Sequence, residues 1–172
     1  MQRRQLWKWW GIALVVMGLG SLAAPTMAGE IIIGGSCDRT GPTQNVGTEI
    51  CPASLDYVKL INKKGGIAGH TLKYEEVEHA YKVDRGVEGY ERLKRSGAVA
   101  LLDYGTPIVY ALTPRHVEDK ILGVTPGFGR ADSTDGRAFP YIFPAAATYW
   151  SQAGAAMQFL KDQGVKKGSK IA

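Results

Sequence analysis

The amino-acid sequence predicts an α/β fold in which a parallel sheet carries helices on both of its faces. Strand-like and helix-like patterns alternate after residue 28, which is typical of parallel strands joined by helices. The strand-like runs at 31–33 and 98–102 are continuously apolar, as expected for strands covered on both faces. Right-handed crossovers then place every strand-to-helix loop at one edge of the sheet, where ligands bind in open sheets of this kind.

Five segments have strand-like patterns, and in chain order they are 30–35, 70–80, 98–105, 120–126 and 141–145. The spacing of apolar residues predicts helices in the intervals: over 48–64, from an N-cap at Asp84, over 106–119 and over 148–163. The final residues, SKIA, have the pattern of a further strand.

The first 28 residues have the pattern of an export signal. Arg3, Arg4 and Lys8 form a basic start, and the apolar run GIALVVMGLGSLAA that follows is too short to span a bilayer comfortably. Thr26 and Ala28 are small residues at the positions that a signal peptidase reads, so we expect cleavage after Ala28. An uncleaved N-terminal anchor is the alternative. We therefore expect a soluble protein of the periplasm.

The net charge does not indicate a nucleic-acid partner. Loss of the three basic residues of the signal lowers the formal net charge from +5 to +2. The remaining chain has no basic stripe interleaved with aromatic residues, the pattern typical of nucleic-acid binding.

A polar, glycine-rich loop follows the three isoleucines of the first strand. It runs over 36–47, about a dozen residues, whereas a structural turn needs about two to five. We interpret its length as that of a ligand-binding loop at the carboxyl edge of the sheet. The loops at 80–83, 104–106 and 126–129 are expected at the same edge.

The sequence holds two cysteines, Cys37 in this loop and Cys51 in the next helix. In an oxidising compartment a disulfide between them would close a short loop and contribute about 3 kcal/mol if it is unstrained. Paired and unpaired cysteines both remain open here, because the sequence does not determine whether their Cα atoms come within about 7 Å.

No pattern in the sequence supports catalysis or cofactor binding. Three histidines lack metal-ligand spacing: His70, His79 and His116. GGSCD lacks the second glycine of a nucleophile elbow, no phosphate-binding loop occurs, and Cys37 as a nucleophile would need a histidine base nearby in space. Of Glu75, Glu76 and Glu78, two are better explained as lining the solvent side of a strand than as acid–base groups. We therefore expect a binding protein rather than an enzyme, with no cofactor and no metal.

Several motifs, in their order along the chain, resemble a known family. They are TGPTQNVG, INKKGGIAGHTLKYE, YGTP, ILGVTPGFG and YIFPAAATYWSQAGAAMQFLKDQG. They are similar to motifs of the branched-chain amino acid type of ABC-transporter substrate-binding proteins, the type I periplasmic binding proteins that include the Leu/Ile/Val-binding proteins. The resemblance covers essentially the whole chain after the signal, and the first two motifs together are its most specific part.

The resemblance implies a two-lobed receptor that closes on a small solute, such as an amino acid, and delivers it to a permease in the inner membrane. It also implies that the first lobe contacts the ligand through three loops at strand ends. These contacts are Thr40, Gly41, Pro42 and Val46; Tyr104, Gly105 and Thr106; and Gly127, Phe128 and Gly129. Backbone N–H groups at glycines in such loops suit a carboxylate.

Tyr149 marks a departure from the family pattern. Many members hold an amino group with an acidic residue in R-T-x-x-x-D-x-x-Q, where this chain has PAAATYWSQ and Tyr149 takes the position of the acid. The partner of an ammonium group is therefore open, and Phe128, Tyr149 and Trp150 would favour an aromatic ligand by stacking. Ordinary packing at the hinge and at the helix start is the alternative for these three side chains.

The resemblance divides the chain into a signal peptide (1–28), most of a first lobe (29–144), and a hinge with the start of a second lobe (145–172). Family members continue through the second lobe and return to complete the first, so we expect this chain to be a truncated or partial form. Two other readings stay open: a periplasmic sensing domain of a regulatory system, and a gene remnant that binds nothing.

Overall fold

The computed structural model describes residues 29–125 and 130–170. The strands are β1 (Gly29–Cys37), β2 (His70–Glu78), β3 (Ala100–Leu102), β4 (Leu122–Thr125) and β5 (Ile142–Pro144). The helices are α1 (Gln44–Lys63), α2 (Val83–Arg95), α3 (Thr106–Asp119) and α4 (Tyr149–Asp162), and a 3₁₀ turn at Asp132–Thr134 precedes β5.

The five strands form one sheet in the order β2-β1-β3-β4-β5, and every neighbouring pair is parallel. The predicted fold class is confirmed. Because all the strands run the same way, their carboxyl ends and the loops that follow lie along a single edge. The signal-like segment, residues 1–28, lies outside the described residues.

Helices cover both faces of the sheet. A Cβ atom at Gly34 would lie 2.9 Å from Leu93 of α2, so Gly34 faces that helix. Cys37, three residues further along β1, is bonded to Cys51 of α1. Successive residues of a strand point to opposite faces, so α1 lies on one face and α2 on the other. Helix α3 packs beside α2 and against β4 and β5.

The hydrophobic core lies between the sheet and the α2–α3 pair. Its buried members are Val77, Tyr90, Leu93, Ala98, Leu101, Ile108, Leu112 and Ile121. Glycines allow α2 to approach closely: a Cβ at Gly89 would lie 2.6 Å from Val77, and one at Gly86 would lie 2.9 Å from Ile108. Each fully buried leucine of this core contributes about 1.5–3 kcal/mol to folding.

Two predicted helix starts are wrong by a few residues. Helix α1 begins at Gln44 rather than at residue 48, so the loop after β1 covers only 38–43. Helix α2 begins at Val83 with Lys82 as its N-cap, and Asp84 lies in the first turn instead of capping it. There its charge complements the helix dipole without a capping hydrogen bond.

Helix α4 begins at Tyr149, one residue after the predicted start, because Thr148 is its N-cap and accepts a hydrogen bond from the backbone N–H of Ser151 at 3.3 Å. None of its residues is buried. After this helix, residues 169–170 form no strand, and 171–172 lie outside the described residues. Across the described part of the chain, every helix is too short or too polar to cross a membrane.

Candidate functional site

Three loops meet at the carboxyl edge of the sheet: 38–43 after β1, 79–82 after β2 and 103–105 after β3. The first two touch at Gly41, where a Cβ would lie 2.6 Å from the backbone carbonyl of Ala80. The second and third touch at Gly105, where a Cβ would lie 3.0 Å from the ring of Tyr81. The fourth loop, with the predicted contacts Gly127, Phe128 and Gly129, lies outside the described residues.

The first loop closes around the carboxylate of Asp38. Oδ1 of this fully buried side chain accepts a hydrogen bond from the backbone N–H of Gly41 at 2.6 Å. Oδ2 accepts two more from Thr43, from the backbone at 2.8 Å and from the hydroxyl at 2.7 Å. The N–H of Gly41 is therefore directed inward, whereas Pro42 and Val46 are exposed beside it.

Burial and hydrogen bonding act in opposite directions on Asp38. Burial alone raises the pKa of its carboxyl group, but the hydrogen bonds from Thr43 and Gly41 lower the pKa overall. The carboxylate is thus charged at neutral pH, and it accepts hydrogen bonds from Gly41 and Thr43 of its own loop.

Glu78 and Glu76 tie the first loop to β2. The carboxylate of Glu78 accepts hydrogen bonds from the hydroxyl of Thr40 at 3.0 Å and from the backbone N–H of Ala80 at 2.8 Å. The guanidinium of Arg39 donates to both oxygens of Glu76, at 2.6 and 3.0 Å. Thr40, a predicted ligand contact, therefore uses its hydroxyl within the protein.

The second loop has a backbone that sequence patterns did not predict. Ala80 and Tyr81 both have positive φ angles, 49° and 60°, which are uncommon for residues other than glycine. Nδ1 of His79 accepts a hydrogen bond from the N–H of Tyr81 at 3.0 Å and so supports this turn. The ring of His79 is buried beside Tyr104, and burial lowers its pKa.

The third loop contains the buried side chain of Tyr104 and leads into α3 at the half-buried Thr106. Tyr104 is buried; its N–H donates to the hydroxyl of Ser36 at 3.0 Å and its own hydroxyl donates to the carbonyl of Thr43 at 3.4 Å. Gly105, with φ 96°, leads into α3, whose N-terminus has no side-chain cap. Thr106 begins this helix.

Thr106 and Tyr149 are brought together across the described part of the chain. Their hydroxyl groups are hydrogen-bonded at 2.7 Å, although they are 43 residues apart. Tyr149 is 41% exposed, so this pair of hydroxyls borders solvent at the sheet edge. Of the predicted contacts among the described residues, Thr40, Pro42, Val46 and Tyr149 are exposed and Thr106 is half-buried.

The two cysteines are paired in the structure. Cys37 and Cys51 form a disulfide with their Cα atoms 6.3 Å apart. Within the described residues, their sulfurs and a carboxylate oxygen of Glu76 also make the one cluster of potential metal ligands, all within 4.8 Å. Sulfurs that are bonded to each other offer no thiolate, so this cluster is not suited to a metal.

Sequence reasoning missed Asp38, Glu78, His79 and Tyr81. A signal existed for Asp38, because an aspartate followed by Gly41 and Thr43 is typical of a turn in which the side chain accepts backbone N–H groups. No sequence signal marks the turn at Tyr81, since positive φ angles there depend on packing against the neighbouring loops.

Comparisons with known proteins agree with this architecture. Residues 30–172 match the sequence model of a family described as "Periplasmic binding protein". A protein from the Pseudomonas fluorescens group, described as an ABC transporter permease, is similar at 33% identity over 81% of this chain and 34% of its own, with a TM-score of 0.67. A fatty acid ABC transporter substrate-binding protein from Thermomonospora curvata has 26% identity over 81% of this chain and 35% of its own, with a TM-score of 0.69.

The fold also resembles that of a branched chain amino acid ABC transporter from Thermus thermophilus solved with bound valine. Identity is 23% over 81% of this chain and 36% of that one, and the TM-score is 0.72. The chain spans about a third of the length of these solved relatives. A search of curated proteins found no match.

Proposed function

The chain belongs to the periplasmic binding protein family, a family with a solute-binding role, and from this premise we propose that it forms the first lobe of the solute receptor of an ABC importer. The receptor is exported through residues 1–28 and cleaved after Ala28. It takes up its ligand between this lobe and a second lobe, and it delivers the ligand to a permease in the inner membrane. On this proposal the present chain is a partial form of that receptor.

The observation that carries the proposal is the uncapped N-terminus of α3 at the sheet edge. The first N–H groups of a helix have no partner within the helix, and together with the helix dipole they suit an anionic group. Pro107, the second residue of α3, contributes no such N–H. The hydroxyls of Thr106 and Tyr149 lie at the same place and can donate to the ligand. The N–H of Gly41 in the first loop already donates to Asp38, so we assign the anionic group of the ligand to the N-terminus of α3.

The relatives support a carboxylate as the anionic group of the ligand. One is described as binding fatty acids and another was solved with valine, and both of these ligands carry a carboxylate. We propose an amino acid or a related small carboxylate or amide. The rings of Tyr149 and Trp150 at the start of α4 are exposed and could stack on an aromatic acid, so this class of ligand includes aromatic acids.

The proposal is tested on the native receptor from the periplasmic fraction, whose intact mass establishes both of its ends. Calorimetric titration with L-leucine, L-isoleucine, L-valine and benzoate is expected to give saturable binding of at least one probe. In that receptor, Thr106→Phe is expected to abolish binding while the thermal midpoint changes little, because the side chain fills the mouth of the cleft rather than the core.

Tyr149→Phe removes a single hydroxyl and is expected to weaken binding about five- to tenfold, the value of one hydrogen bond. Tyr57→Phe is the matched control, since Tyr57 is exposed on α1 away from the edge loops. Unchanged affinity in Thr106→Phe would exclude this site, and a native receptor that binds none of the four probes would exclude the proposed ligand class.

A further inference from the structure

The carboxylate of Asp38 fills the centre of the first loop as a bound anion would. It accepts three hydrogen bonds from residues that come three and five positions later, and no part of the side chain is exposed. The loop therefore contains an amide-lined site that the protein occupies with its own charge.

Two further features hold Asp38 in this position. The preceding residue, Cys37, is bonded to Cys51 of α1, which anchors the start of the loop to the helix that follows it. Gly47, one turn into α1, is buried against the backbone carbonyl of Asp38, and any Cβ at this position would overlap that oxygen. The loop is thus fixed from the strand, from the helix and from its own centre.

Pro42 on the outward side of this loop and Val46 in the first turn of α1 are both exposed and belong to the set of predicted ligand contacts. The inner hydrogen bonds place Pro42, because Gly41 and Thr43 flank it and both donate to Asp38. Val46 is linked to the same loop because its N–H donates to the carbonyl of Thr43 at 3.0 Å. Gly41 also lies against Ala80, so a shift of this loop would disturb the second loop as well.

We propose that Asp38 is a positioning residue for ligand binding, whose carboxylate organises loop 38–43 so that Pro42 and Val46 are presented to the ligand in a fixed geometry. This inference rests on the proposed function. Asp38 acts without touching the ligand, and a preorganised loop loses less conformational entropy on binding than a mobile one.

The test uses Asp38→Asn in the native receptor. Both oxygens of Asp38 accept hydrogen bonds, whereas an asparagine has a single acceptor oxygen, so its NH₂ group must face an N–H donor of Gly41 or Thr43. We expect amide hydrogen exchange at Gly41 and Thr43 to become at least tenfold faster, and affinity for the probe that binds best among L-leucine, L-isoleucine, L-valine and benzoate to fall at least tenfold. Both are measured where the variant is fully folded.

Three further variants separate positioning from general stability. Asp56→Asn makes the same chemical change at an exposed ion pair on α1 and is expected to leave exchange and affinity unchanged. Thr43→Val removes only the hydroxyl that donates to Asp38 and is expected to reproduce part of the loss, whereas Thr43→Ser keeps the hydroxyl and is expected to bind like the native receptor. If Asp38→Asn does not fold, the Thr43 pair decides the question.

The outcomes are distinguishable. Affinity that is unchanged in Asp38→Asn or in Thr43→Val would overturn the proposal, as would faster exchange that is spread equally over β1, β3 and α2, because either result would make Asp38 a stabilising residue only. If the native receptor binds no probe while exchange at Gly41 and Thr43 still depends on Asp38, the proposed function fails but the role of Asp38 in shaping the loop stands.

Discussion

At the scale of single residues, the buried carboxylates at and behind the sheet edge form hydrogen bonds with groups of the same chain. Asp103, directly after β3, is buried, and its Oδ2 lies 2.8 Å from Nε2 of His116 in α3. Nδ1 of the same ring lies 2.9 Å from the carbonyl of Ile121. Both ring nitrogens thus face acceptors, which is the arrangement that suits a protonated imidazole.

The protonation of His116 follows from this geometry. Burial alone lowers the pKa of the ring, but the hydrogen bond and the charge of Asp103 raise the pKa overall. A folded-state pKa above the unfolded value of about 6.5 means that the pair stabilises fully below pH 6.5. This contribution is lost as the pH rises through the folded-state pKa.

We expect His116→Gln to lower the free energy of unfolding by about 3 kcal/mol at pH 6, because Asp103 is left as a buried charge without its partner. The difference from the native protein should shrink as the pH rises above 6.5. Urea unfolding at a series of pH values measures it, with His70→Gln as the control at a partly exposed histidine. A difference that grows with pH would contradict the protonated pair.

The buried ring of His79 acts in the opposite direction. Burial lowers its pKa, so the folded protein keeps it neutral and its contribution to stability is lost as the pH falls below about 6.5. His79 is present in both the native protein and His116→Gln. The difference between their free energies of unfolding at each pH therefore does not contain the contribution of His79.

At the scale of elements, the unit that fixes the first edge loop is β1, loop 38–43 and α1. Strand β1 pairs in parallel with β2 along its whole length and with β3 over three residues, 33–35. Its carboxyl end is therefore held between two neighbouring strands. The disulfide joins that end to α1 across 14 positions of sequence.

Replacing both cysteines in Cys37→Ala/Cys51→Ala is expected to lower the free energy of unfolding by about 3 kcal/mol, because the unfolded chain gains the freedom of a loop of this length. Chemical denaturation measures the change. The native protein treated with a thiol reductant serves as the comparison and should show the same decrease. Equal unfolding free energies in the oxidised protein and the double variant would show that the crosslink contributes nothing to stability.

At the scale of the whole molecule, the described residues divide into a packed part and an unpacked part. The sheet with α1, α2 and α3 holds the buried residues of the core, whereas α4 has none and leaves Trp150 78% exposed. The hydrogen bond between Thr106 and Tyr149 links α4 to the edge of the sheet. A helix in this condition gains little from tertiary packing.

The fluorescence of Trp150 measures the exposure of α4 directly, because the other three tryptophans of the sequence lie within the first ten residues. In the chain of residues 29–172, we expect its fluorescence to have the emission of a hydrated indole and to be quenched by acrylamide as readily in the folded as in the urea-unfolded protein. The folded chain should instead show protected, blue-shifted emission if another surface, such as a second copy, covers α4.

Much of this protein follows from local sequence. Continuous apolar runs such as 31–33 predicted a parallel sheet, although these three isoleucines are only half-buried. The alternation with helical spacing predicted helices on both faces, since both patterns depend on periodicity along the chain. The order of strands and loops also predicted that the loops after β1, β2 and β3 share the carboxyl edge of the sheet. Thr148 was sufficient to mark the start of α4 within one residue.

Only the tertiary structure decided how the edge is used. Glu78 accepts the hydrogen bond of the Thr40 hydroxyl, a group that the family resemblance had assigned to the ligand, because strand pairing brings β1 and β2 side by side. The meeting of Thr106 with Tyr149 and the pairing of Cys37 with Cys51 are likewise distances between segments. Sequence patterns specify the period and direction of each element, whereas such distances arise only when the elements have packed together.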